Sequence, residues 1–139
     1  MRISVCLALV MLLLIGGRAL AQQSGNADCY NTAVTQFDLD ACAGSDFEAA
    51  DKELNKTYRE LLRRLPDSAD QNALKSAELA WIAFRDKDCE FEAGPVEGSG
   101  SIRPMVAGMC LADRTRARVT QLKSSLNCEE GDVSCRVSH

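Results

Sequence analysis

Apolar residues recur through the first half of the chain at Leu39, Ala43, Phe47, Ala50, Leu54, Tyr58, Leu61 and Leu65. Steps of three and four residues hold such a series on one side of a helix, so the pattern predicts a helix about thirty residues long. Thr35 supplies its cap and Pro66 its stop. Gly44 interrupts the series, and Ser45-Asp46-Phe47-Glu48 has the form of a capping box that would start a new helix. An interior Gly costs only about 1 kcal/mol relative to Ala, so continuity with a bend near Gly44 is expected. Upstream, Asp28 caps a short helix of about two turns through Cys29 and Val34.

Beyond Pro66, Asp67 or Ser68 caps a helix reaching about Glu92, with Leu74, Ala77, Trp81, Phe84 and Phe91 toward the core. The short turn makes these two long helices antiparallel neighbours. Residues 94–101, rich in Gly, Ser and Pro, read as a loop. A third main helix follows from about Ile102 to Leu126, turning Val106, Met109, Cys110, Val119, Leu122 and Leu126 inward. Met105, Val106 and Met109 read as core, or as a partner patch if the loop exposes them. The expected fold is all-α, an antiparallel bundle of three main helices plus a short N-terminal helix, without repeats, trustworthy strand alternation or a second domain.

One stretch departs from this plain amphipathic pattern. Trp81, Arg85 and Cys89 share a helical face, which places an aromatic anchor, a forked cation and a thiol on one stripe. Asp51, Asn55 and Tyr58 offer a complementary polar stripe upstream. One reading makes Asp51 a general acid or base tuned by Arg85. The favoured reading makes Arg85 a buried fork satisfied by Asp51 with help from Asn55 or Tyr58, fixing the register of two helices. An Arg partner would depress the Asp51 pKa and make it a poor proton carrier at neutral pH. A nucleophilic triad lacks its base, because the sole His is the terminal His139.

The N-terminus adds a compartment. Residues 1–21 hold Arg2, an apolar run over 3–15 and the small-x-small ending Ala19-Leu20-Ala21, which reads as a signal peptide cleaved before Gln22. The run is short for a membrane anchor, and Cys6 lies too early, without the preceding small residues of a lipoprotein site. Cleavage would leave 118 of the 139 residues, one domain over 22–139 with its core at about 28–127. It would also shift the formal charge from −4 to −6 through loss of Arg2 and Arg18. Such acidity disfavours nucleic acid and suits a basic protein partner.

Six cysteines then remain, namely Cys29, Cys42, Cys89, Cys110, Cys128 and Cys135. An even number in a small exported chain argues for three disulfides. Structural zinc is the rival, weakened by the absence of a CxxC pair and by a single His. Of the fifteen possible connectivities, the sequential set Cys29–Cys42, Cys89–Cys110 and Cys128–Cys135 is expected, since each bond would close a short chain reversal. The last pair would form an acidic loop over 128–135. No cofactor or metal is expected.

In order, the chain carries Cys29, Cys42, Ala50-Asp51-x-x-Leu54-Asn55-x-x-Tyr58, Trp81-x-x-x-Arg85-Asp86-x-x-Cys89, Gly100-Ser101-Ile102, Cys110 and Thr115-x-x-Arg118-x-x-x-Leu122. This combination resembles the lysozyme-inhibitor LprI N-terminal family, small cysteine-containing helical proteins of the bacterial envelope. The resemblance implies a non-enzymatic, periplasmic or secreted protein that binds lysozyme. Arg118, part of this pattern, is expected to pack its stem on the bundle with its head at helix-end carbonyls. Within that reading, the loop over 94–103 is the natural probe for a lysozyme groove, offering Ser99 and Ser101 hydroxyls and Arg103 to meet a carboxylate. The alternative is an envelope structural or interaction module without lysozyme activity.

Overall fold

A computed structural model describes residues 27–129 and 131–137. The leader, Cys6, Glu130 and His139 lie outside the described residues. Among those described, the elements are α1 (Ala27–Thr32), α2 (Gln36–Arg64), α3 (Ser68–Ala93), a 3₁₀ turn (Gly100–Ile102) and α4 (Arg103–Leu126), with no strand. The architecture is all-α.

Helix α2 begins at a reciprocal cap. The Thr35 hydroxyl accepts from the Asp38 amide at 3.1 Å while the Asp38 carboxylate accepts from the Thr35 amide at 2.9 Å. Bonds from the Thr35 hydroxyl and from the Thr35 and Val34 amides hold the Asp38 carboxyl below its ordinary value of 3.8. A depressed folded-state pKa means that the cap contributes stability above about pH 3.8 and loses it as pH falls through the lower folded value. Asp38→Asn is therefore expected to lower Tm at pH 7, with the gap to the parent shrinking below that point, as calorimetry over a pH series would read.

No break occurs at Gly44, where a Cβ would meet nothing within 4 Å. The close approach is instead at Gly108 of α4, whose missing Cβ would fall 2.9 Å from the Ala43 Cβ. Small residues at this crossing let two backbones meet, and α2 with α4 forms the most extensive helix pair.

Helix α4 runs with α2 and against α3. Asp46 pairs with Arg116 and Glu53 with Lys123 in ascending order along α2 and α4. Cys89 bonds Cys110, Arg85 meets Thr115 and Glu78 meets Arg118 in descending order along α3. Although α2 and α3 are joined by the tight Pro66 turn, each packs chiefly on α4 rather than on the other.

Leu54, Leu61, Leu65, Val119, Leu122, Leu126 and Val137 form the apolar core, with Tyr58, Leu74 and Trp81 against it. Val137 comes from beyond α4, where the tail doubles back and Arg136 pairs with Asp70 at the start of α3. The disulfides join Cys29 to Cys42, Cys89 to Cys110 and Cys128 to Cys135, with Cα separations of 5.8, 5.5 and 5.6 Å.

The inward face of α3 differs from expectation. Phe84 and Phe91 are 61 % and 86 % exposed and Ala77 is exposed, whereas Glu78, Arg85, Cys89 and Ala93 are buried. The stripe through Leu74, Glu78, Trp81, Arg85 and Cys89 faces inward, so the helix turns two charges in and two phenyl rings out. Met109 is 44 % exposed and Val106 half-buried, so neither is fully in the core.

Candidate functional site

Arg85 occupies the centre of the α3 inner face and is 7 % exposed. Its guanidinium lies against both the Phe47 and Trp81 rings, 5.1 and 5.2 Å from their centroids, contacts that compensate a cation for lost hydration. The principal carboxylate is the adjacent one. Asp86 Oδ1 accepts from Arg85 Nε at 2.9 Å and Nη2 at 2.7 Å, while Nη1 donates to the Thr115 hydroxyl at 3.3 Å. Asp51, the partner expected from the sequence, stands 3.9 Å away and accepts a 2.8 Å bond from Asn55. Tyr58 packs on the Leu54 cluster instead of joining the cation.

Two turns earlier on α3 lies a second ion pair that sequence reasoning missed. Glu78 is 6 % exposed, and its Oε2 accepts from Arg118 Nε at 3.0 Å and Nη2 at 2.9 Å. Arg118 therefore grips a buried carboxylate rather than helix-end carbonyls, and its Nη1 donates to Gln121 at 3.1 Å. Its guanidinium also lies 5.7 Å from the Trp81 centroid, so Trp81 serves two cations. The signal available in the sequence was the position of Glu78 on the same helical stripe as Trp81 and Arg85. Glu78 Oε1 is buried with no hydrogen-bond partner among the described residues.

The loop after α3 is shaped by its own polar groups. Gly94, Gly98 and Gly100 have φ of 78°, 91° and 66°, and a Cβ on Gly94 would come within 2.9 Å of the Ser99 hydroxyl oxygen. Ser99 donates to the Pro95 carbonyl at 2.6 Å, and Arg103 Nε donates to the Gly94 carbonyl at 2.9 Å. Two of the three residues expected to reach a partner thus brace the loop, leaving Ser101 and Val96 in solvent, the latter 77 % exposed. The Cys89–Cys110 bond ties the helices on either side. At the other end of α4, an open polar cleft of about 620 Å³ is lined by Ser124, Asn127, Glu129, Asp132, Ser134 and the Cys128–Cys135 bridge.

Several surface carboxyls are held below their ordinary values. Lys123 donating to Glu53, Lys87 donating to Glu90 and the Ser134 hydroxyl and amide donating to Asp132 are the main causes. Such groups remain anions at neutral pH and act through fixed charge rather than proton transfer. Arg85 is paired within α3 by Asp86 and reaches α4 through Thr115, whereas the Glu78–Arg118 pair links α3 directly to α4.

No helix among the described residues is long and apolar enough to cross a membrane. An uncharacterized protein, R02472, of Rhizobium meliloti (strain 1021) is 39 % identical over 135 residues, covering 88 % of this chain and 95 % of that one. The uncharacterized protein YecT of Escherichia coli (strain K12) is 28 % identical over 105 residues, 66 % of this chain and 65 % of its own length. No solved structure matches. The family described as lysozyme inhibitor LprI matches residues 27–122, from the first described residue of α1 to Leu122 in the core of α4, and the chain belongs to that family.

Proposed function

We propose that the protein is an extracytoplasmic, non-enzymatic lysozyme inhibitor that obstructs the active-site groove. The observation that carries this reading is the family match across the helical core, which the three disulfides and the leader-like residues 1–21 complement. A lysozyme groove must admit polysaccharide between two carboxylates, so a rigid protein that enters it inhibits without chemistry of its own. The loop over 94–103 is the inserting element. Its bracing by Ser99, Arg103 and the Cys89–Cys110 bond lowers the entropy lost on docking, and Val96 and Ser101 are the side chains it offers. The acidic surface, with a formal net charge of −4 for the whole chain, favours encounter with a basic lysozyme.

A cell-wall lysis assay with several lysozymes tests this directly. Dose-dependent protection that weakens with added salt is expected. Removing residues 96–101 should reduce protection at least about tenfold, a loss of roughly 1.4 kcal/mol in binding, while helicity is retained. Full protection by that shortened variant would exclude the loop, and no protection by the parent against any lysozyme would exclude the inhibitor reading.

A further inference from the structure

Helix α3 packs chiefly on α4, and the face it turns away from α4 is apolar for most of its length. At helical spacing, that face carries Ala69, Ala73, Ser76, Ala80, Phe84, Lys87 and Phe91, all exposed. Two phenyl rings left in water within seven residues are costly, since each ring carries on the order of 150–250 Å² of surface. Lys87 is the one cation in that series, and its ammonium is turned to Glu90 at 2.7 Å, leaving the stripe locally neutral.

We propose that this face is an interaction surface for a second copy of the same chain, joined as an antiparallel two-fold pair of α3 helices centred on Ala80. The distribution of sizes along the face argues for this occupant. Small residues fill its N-terminal half and large ones its C-terminal half. An antiparallel partner centred on Ala80 sets Phe84 opposite Ser76, Lys87 opposite Ala73 and Phe91 opposite Ala69, so each large side chain meets a small one. A two-fold contact demands such self-complementarity, whereas a parallel pair would set ring against ring and Ala against Ala. The neutral stripe lets two acidic molecules approach where repulsion is least.

The area is sufficient for a weak dimer. A helix of 26 residues is about 39 Å long, and a stripe roughly 10 Å wide gives about 400 Å² in projection on each copy. The pair then buries about 800 Å², below the roughly 1,000 Å² of a stable specific interface, which fits a weak and transient dimer and not a permanent one. A concentration-dependent monomer–dimer equilibrium follows. This inference does not depend on lysozyme binding.

Sedimentation equilibrium of the oxidised, exported protein over a several-hundredfold range of concentration tests it. The mass should rise toward twice the monomer value, and Phe84→Asp with Phe91→Asp should hold it at the monomer without loss of helicity, since both rings are exposed. Ala80→Cys, placed on the two-fold axis, should be joined to its own copy by a short bismaleimide, and Ala117→Cys on the exposed side of α4 should not. A mass that stays monomeric throughout overturns the proposal. So does a dimer that the Asp variants leave intact, or a monomer whose lysozyme inhibition those variants abolish, which would assign the face to a different protein.

Discussion

Replacing Arg118 with Met is expected to destabilise the fold by about 3–5 kcal/mol, the usual consequence of stranding a buried charge. The Glu78 side chain is only 8 % exposed, and one of its oxygens depends on two bonds from Arg118 while the other has no hydrogen-bond partner among the described residues. Met keeps most of the apolar stem and removes the fork, together with the contact of its guanidinium with the Trp81 ring. Adding Glu78→Met should recover much of the loss, because replacing both ions with apolar groups of similar size is often close to neutral. Urea denaturation of the parent, both single variants and the double variant gives the coupling energy directly. A single variant within about 1 kcal/mol of the parent would mean that the pair is solvated and that register is fixed elsewhere.

Substituting both Cys89 and Cys110 with Ala is expected to cost about 3 kcal/mol, the chain-entropy value for a loop closed across 21 residues. Both sulfurs are buried, so some packing is lost as well. The bond also spans the loop between α3 and α4, and its removal should weaken lysozyme inhibition more than it weakens helicity. Denaturation and the lysis assay, run on the same preparation, separate the two effects. Equal inhibition by a demonstrably less stable variant would show that loop order is set by Arg103 and Ser99 alone.

Long-range order along α2 was legible because Leu54, Leu61 and Leu65 keep a strict helical step and Thr35 and Pro66 punctuate its ends. The face of α3 was not. Phe84 and Phe91 look like core residues by type, yet apolar residues occur on both sides of that helix, and the inner side is chosen by what α4 offers. Arg118 and Thr115 of α4 select Glu78 and Arg85, a choice that no single segment reveals. The polar stripe of Trp81 and Arg85 was visible, but the adjacent Asp86 was overlooked as acceptor because neighbouring residues on a helix normally diverge. Gly44 drew notice for its place within an apolar series, while Gly108, where contact between helices depends on an absent side chain, carries no local mark. Ser99 lies in the loop and Arg103 opens α4 just beyond it, and their bonds back to the Pro95 and Gly94 carbonyls emerge only once the glycines fix the path of the chain.

The returning tail has a practical corollary. Val137 stops the open end of the bundle like a cork, seated by Arg136 on Asp70 and by the adjoining cystine. Purification handles or reporters attached after it adjoin a buried anchor and are expected to loosen it. Versions trimmed to the edge of the family match would lack that closure, and their behaviour in solution would report on the missing stopper rather than on the intact protein.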